Sequence, residues 1–195
     1  MKKIKLLIIL LIIIIPLNVN AQKDTVKFSS CIDGDTANFI LNKKEVKVRF
    51  LAVDTPETKH PTKGEEPYGK EASKYTCKRL KEASKIELEY DDNSDKKDKY
   101  NRYLAWVFVD DSLLQAELIK NGLAEVAYLY GDYKYTPLLQ DYEENAKVQK
   151  VGMYSGEKSY YENHKNDKKK TNTKNKTIKK ILKKIINEIL DEIFK

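Results

Sequence analysis

Histidine and cysteine are scarce in this chain. It has two of each in 195 residues: His60, His164, Cys31 and Cys77. Neither pair shows metal-ligand spacing, which excludes a zinc centre of the usual nitrogen–sulfur kind. No Ser-His-Asp or Cys-His arrangement is evident, so covalent catalysis with a histidine base is set aside. A membrane-spanning apolar run is missing as well. Leu6 to Leu17 is too short to span. Preceded by Lys2, Lys3 and Lys5 and followed by Val19-Asn20-Ala21, it reads as a signal peptide, residues 1–21, cleaved after Ala21. The alternative is an uncleaved N-terminal anchor. No cysteine follows the cleavage site, which argues against lipidation there. In an exported chain Cys31 and Cys77 can pair or stay as buried thiols, and their spacing does not decide which.

Positive charge is also missing where the whole-chain number suggests it. The chain carries a formal +7. Three of those charges sit in the leader. Residues 165–195 hold eleven lysines against four acids, which leaves residues 22–164 near −3. A bulk positive field therefore does not draw a polyanion to the core, and any phosphate recognition there needs a local cluster.

Periodicity places the elements. Residues 25–32, 36–41 and 45–53 read as three strands of a meander, with turns at Asp33-Gly34-Asp35 and Asn42-Lys43-Lys44. Gly34 is expected to supply a positive φ. Residues 68–83 follow helical spacing, 85–90 and 103–109 read as two more strands, and Asp110-Asp111-Ser112 is expected to cap a helix running to Lys120. Residues 124–130 read as extended or irregular. A third helix runs from Pro137 to about Lys150. Five short strands in a 3 + 2 order with added helices predict a mainly β, α+β fold, an OB-like five-stranded antiparallel barrel.

After Gly156 the composition changes. Residues 157–176 are a polar, basic linker expected to be disordered. Residues 177–195 form an amphipathic helix with isoleucine, leucine and phenylalanine at steps of four. That period drifts on a 3.6-residue helix, so the band is broad. Its lysines come first and its acids last, opposing the helix dipole. Residues 177–194 therefore call for a partner: an anionic surface, a membrane or an antiparallel copy. The alternative is packing on the chain's own domain.

The chemistry concentrates between Asp33 and Arg102. Asp35, Asp54 and the carbonyl of Thr55 form an all-oxygen donor set, which points to a hard cation, Ca²⁺ before Mg²⁺. Arg49 on a strand and Arg102 downstream suit a phosphate clamp. Glu57, just past Asp54-Thr55-Pro56, suits a base that orients or deprotonates water.

These motifs resemble the staphylococcal nuclease (thermonuclease) family. The matching runs are Ile32-Asp33-Gly34-Asp35-Thr36, Arg49 with Val53-Asp54-Thr55-Pro56-Glu57-Thr58-Lys59-His60-Pro61, Tyr68-Gly69 with Glu71-Ala72-Ser73, Asp98-Lys99-Tyr100 with Arg102, and Gly122-Leu123-Ala124 with Val126-Ala127-Tyr128 and Tyr130. The resemblance covers about residues 25–155. It implies an OB-fold barrel with three helices over residues 22–156. It implies calcium-dependent hydrolysis of DNA and RNA at the P–O5′ bond, leaving 3′-phosphates. Calcium would lie on Asp35, Asp54 and Thr55 with Asp33 nearby. Arg49, Glu57 and Arg102 would be catalytic. Lys99, Tyr100, Tyr128 and Tyr130 would line the nucleotide pocket, and Lys63 would approach the incoming strand. Two positions depart from the family pattern: Asn101 stands where glycine is usual, and Gly152-Met153-Tyr154 replaces a frequent tryptophan. The competing reading is a catalytically inactive module of the same fold that binds nucleic acid or protein.

Overall fold

The computed structural model describes residues 23–58 and 65–156. The expected leader, 157–176 linker and 177–195 helix, with His60 and Lys63, lie outside them. In chain order the elements are β1 (Lys23–Cys31), β2 (Thr36–Leu41), β3 (Lys44–Phe50), the two-residue β4 (Val53–Asp54), α1 (Gly69–Glu82), β5 (Ile86–Glu89), β6 (Tyr103–Val109), β7 (Ser112–Leu113), α2 (Leu114–Lys120), β8 (Glu125–Val126) and α3 (Thr136–Val148), with a closing 3₁₀ turn at Gly152–Ser155.

The five longer strands close on themselves. Their order is β3-β2-β1-β5-β6, and β6 returns to pair with β3. Every pairing within that ring is antiparallel except the closing one, where Val48, Arg49 and Phe50 run parallel to Tyr103, Leu104 and Ala105. This is the expected OB-type barrel with three helices. Phe39, Val48, Phe50 and Leu88 are buried in its core. Five successive β6 residues, Ala105 to Val109, are buried. One face of β6 fills the barrel and the other packs under the helices, so the run is apolar rather than alternating. Trp106 meets Tyr135 edge to face at 5.2 Å. Gln115, fully buried, accepts from Val107 N (3.1 Å) and donates to Ala105 O (3.0 Å), satisfying β6 backbone groups that would otherwise be orphaned.

Local differences from the sequence expectations have physical causes. The third strand ends at Phe50, not Val53, because Leu51-Ala52 turns with Ala52 at φ +58°. Val53–Asp54 then forms β4 and pairs with β8 inside the stretch that reads as irregular. Asp110 and Asp111 do not cap a helix. They form a turn at φ +49° and +66°, and α2 begins later, at Leu114. The Asp110 carboxylate instead accepts the amides of Ser84 and Lys85, at 2.9 and 3.0 Å, tying off the end of α1.

Cys31 and Cys77 form a disulfide across a Cα–Cα distance of 5.7 Å, joining the end of β1 to α1. Beside it, Thr76 Oγ1 donates to the carbonyl of Gly34 at 2.5 Å. The two links hold the Asp33–Asp35 turn against the helix. The bond closes a 46-residue separation, so chain entropy assigns it about 3–4 kcal/mol. Replacing both cysteines by serine is expected to lower the unfolding free energy by about that much, read as a fall in the urea midpoint. An unchanged midpoint would overturn this assignment.

Candidate active site

The turn, β3, β4 and two loops meet at one open cleft of about 840 Å³. Arg49 is its hub. β3 delivers this guanidinium to the cleft wall, where the Leu51-Ala52 turn wraps around it. Nη1 donates to Val53 O at 2.7 Å and Phe50 O at 3.2 Å. Nη2 donates to Asp54 Oδ1 at 3.0 Å, and Nη1 lies 3.3 Å from Asp35 Oδ2. A guanidinium has five N–H donors. Nε–H and one Nη2–H have no acceptor among the described residues, leaving an edge able to meet a phosphate.

Asp35 is fixed on several sides. Its Oδ2 accepts Thr55 N and Thr55 Oγ1, both at 3.0 Å, and its Oδ1 accepts Thr36 Oγ1 at 2.9 Å. Its carbonyl accepts Phe50 N at 2.8 Å, which staples the turn to β3. Gly34 adopts no positive φ. Its role is close approach: a Cβ there would lie 2.6 Å from Thr55 Oγ1. Asp33 takes the amide of Gly34 on Oδ1 at 2.8 Å.

Four carboxylates, Asp33, Asp35, Asp54 and Glu57, thus share the cleft with Arg49. Burial and the charge of Asp35 push the Asp33 carboxyl up, against the pull of the Gly34 amide. Burial pushes Asp54 up and Asp35 adds to it, although Arg49 pulls the other way. Glu57 is raised by burial and by the charges of Asp33 and Asp35. The site is therefore over-supplied with negative charge. Among the described residues no three His, Cys, Asp or Glu side chains converge as a metal cage. The expected set of two carboxylates and one carbonyl is a smaller, oxygen-only group, of the kind a calcium shell completes with water.

Arg102 lines the same cleft. Asn101 adopts φ +61°, a conformation asparagine tolerates well, so it fills the glycine position. Asp98 holds Arg102 through Nε at 2.6 Å and takes its backbone amide at 2.9 Å. Burial alone would raise the Asp98 carboxyl, but these bonds and the Arg102 charge keep it below its ordinary range. Lys99, Tyr100, Tyr128 and Tyr130 line the cleft too. Tyr100 and Tyr130 are exposed, at 68% and 85%. Tyr128 donates to Asp54 Oδ2 at 3.3 Å, and its ring lies 5.2 Å from Arg49 Cζ. Tyr128, at φ +57°, and Ala52 also sit in the left-handed region. Each such non-glycine residue costs of order 1 kcal/mol; Ala52 and Tyr128 line this cleft, and Asn101 stands between its lining residues Tyr100 and Arg102.

Some residues that build the site are not obvious from the chain. Glu66 Oε2 accepts the amide of Glu57 at 3.0 Å, and Glu66 N returns to Glu57 O at 2.9 Å. Glu66 reads as one more solvated charge in a loop. Asp98 is more legible, since it stands four residues before Arg102.

The chain matches the model of the family described as staphylococcal nuclease homologue over residues 47–156. It is 45% identical over 131 residues to endonuclease YncB of Bacillus subtilis (strain 168), covering 67% of this chain and 61% of that protein. It is 42% identical over 131 residues to the SPbeta prophage-derived endonuclease YokF of the same organism, covering 67% and 44%. The chain thus spans less than two thirds of either relative's length. With the thermonuclease of Staphylococcus hyicus the identity is 37% over 136 residues, covering 70% of this chain and 79% of that one. A family match over more than half of its length, on a barrel whose closing strands carry the same cleft, places this chain in the staphylococcal nuclease family.

Proposed function

We propose that this protein is an exported, calcium-dependent nuclease that hydrolyses DNA and RNA at the P–O5′ bond, leaving 3′-phosphates. The observation that carries the reading is the convergence of Arg49, Arg102, Glu57, Asp35 and Asp54 on one open cleft rimmed by exposed tyrosines. Both relatives from Bacillus subtilis are named endonucleases and the staphylococcal one a thermonuclease. The Cys31–Cys77 bond supports an oxidising destination.

Each group has a task in this reading. The free edge of Arg49 binds the scissile phosphate from the barrel wall. Glu57 orients water and takes its proton as oxygen attacks phosphorus. The P–O5′ bond breaks, and the departing 5′-oxygen takes a proton from solvent. Arg102 balances the charge that builds on the phosphoryl oxygens. Tyr128 and Tyr130 offer ring faces to bases, and Lys99, Tyr100 and Lys63 flank the strand. The oxygen-only donors and the crowded negative charge suit a hard divalent cation. Asp35, Asp54 and the Thr55 carbonyl, with Asp33 near, would hold it, and when bound it polarises a phosphoryl oxygen. Because residues 22–164 carry about −3, the lysines beyond residue 164 supply the long-range attraction, with the 177–194 helix set against an anionic surface, a membrane or a second copy.

The test is DNA and RNA degradation by the mature protein, with calcium and with a chelator. Calcium is expected to restore activity that the chelator abolishes. It should also stabilise the fold by about 2.7 kcal/mol at a hundredfold excess over its dissociation constant. Asp35→Asn is expected to abolish that thermal shift. Full activity in chelator would sink the calcium mechanism and leave only a metal-free reading.

A further inference from the structure

The parallel β3–β6 ladder sets more than the barrel's closure. Its register pairs Val48 with Tyr103 and Arg49 with Leu104. The ladder starts at Val48 and Tyr103, and Lys47 and Arg102 each stand one residue before it, on its two sides. Side chains two apart on a strand share a face, and neighbours across a ladder do too. Lys47 and Arg49 therefore share one face of β3, and with Arg102 and Leu104 they line the cleft. Lys97 joins its edge, bridged through its backbone to Tyr103.

The charges in this patch are not equivalent. Arg49 and Arg102 are held by Asp35, Asp54 and Asp98. Lys47 is exposed and has no ion-pair or hydrogen-bond partner among the described residues. Lys97 touches only neutral groups there, the Asn101 amide oxygen at 2.9 Å and the Tyr103 ring at 4.4 Å. Asp95, the remaining acid on that side of the cleft, forms no ion pair with either lysine. Two uncompensated ammonium groups thus line the cleft, Lys47 on β3 and Lys97 on the loop bridged to the start of β6, beside the residues that contact the scissile phosphate. Lys47 is two residues from Arg49, about 6.6 Å of strand, which is roughly the reach of one nucleotide along an extended chain. Ile32, 43% exposed on the adjoining wall, adds an apolar surface for the intervening sugar or base.

We infer that Lys47 and Lys97 form a second phosphate subsite, which holds the nucleotide next to the scissile one and makes the enzyme favour chains over dinucleotides. This rests on the nuclease reading above and deepens it. The two arms of the test separate the claims. In the first, the full chain and its Lys47→Gln/Lys97→Gln variant are titrated with a fluorescent single-stranded 12-mer in chelator, at several salt concentrations. Neutralising two phosphate contacts on a single strand should make the log–log salt slope shallower by about 1.4. In the second, KM for the 12-mer is compared with KM for a dinucleotide in calcium. The ratio of the two should shift about tenfold against the 12-mer, and Lys47→Arg should restore most of it. An unchanged salt slope, or equal KM changes on both substrates, would overturn the subsite. If the wild type cleaves nothing but still shows the lysine-dependent slope, the nuclease reading fails and the subsite stands.

Discussion

Arg49→Ala is expected to lower nucleic-acid cleavage by about four orders of magnitude, the scale of losing an arginine that stabilises phosphoryl transfer. The same change should also cost stability. Arg49 is buried, faces Asp35 and Asp54, and satisfies the carbonyls of Phe50 and Val53. Its removal leaves buried carboxylate without its cation, a loss of about 3 kcal/mol. Arg49→Lys separates the two effects. It keeps the charge and should recover much of the stability, but one ammonium cannot hold two carbonyls, two carboxylates and a phosphate together. Single-turnover cleavage at saturating oligonucleotide and a urea titration provide the readings. If Arg49→Ala cleaves within tenfold of the wild type, the assignment of the clamp fails.

Glu57→Gln should behave differently. A general base contributes 10²–10⁴-fold, so kcat is expected to drop about a thousandfold with KM little changed. The fold should not suffer. The folded state raises the Glu57 carboxyl through burial and the charges of Asp33 and Asp35. A raised carboxyl contributes stability at low pH that is lost as pH rises through it. Glutamine removes that loss, so thermal stability at pH 8 is expected to hold or rise. A variant that loses activity together with stability would show that the Glu57 side chain supports the Asp33 turn rather than serving water.

The barrel was readable because its strands are short, β-branched and punctuated by Asp-Gly-Asp and Asn-Lys-Lys. The parallel closure was not. It joins β3 to β6 across more than fifty residues, and no local pattern encodes which strand edges meet. The helix expected behind Asp110-Asp111-Ser112 shows the limit of capping signals: the same residues make a good two-residue turn, and tertiary contacts with Ser84 and Lys85 chose it. At the site, Asp35, Arg49, Asp54, Glu57 and Arg102 were legible as chemistry, since few other residues suit metal and phosphate together. How Arg49 is held was not, because its main acceptors are backbone carbonyls placed by the Ala52 turn. The Cys31–Cys77 pairing, open from spacing alone, is a matter of where β1 ends against α1.

The ladder between β3 and β6 also bears on how such a protein can diversify. Arg49 lies in that ladder and Arg102 stands one residue before it, so interstrand hydrogen bonds, more than the residues that connect them in sequence, set their spacing. Insertions or deletions within residues 92–95, short of the Lys96 carbonyl that Leu104 N donates to, can therefore accumulate without moving one arginine relative to the other. A lineage built on this barrel can vary that loop, and with it the shape of the cleft rim, while the reacting centre keeps its dimensions.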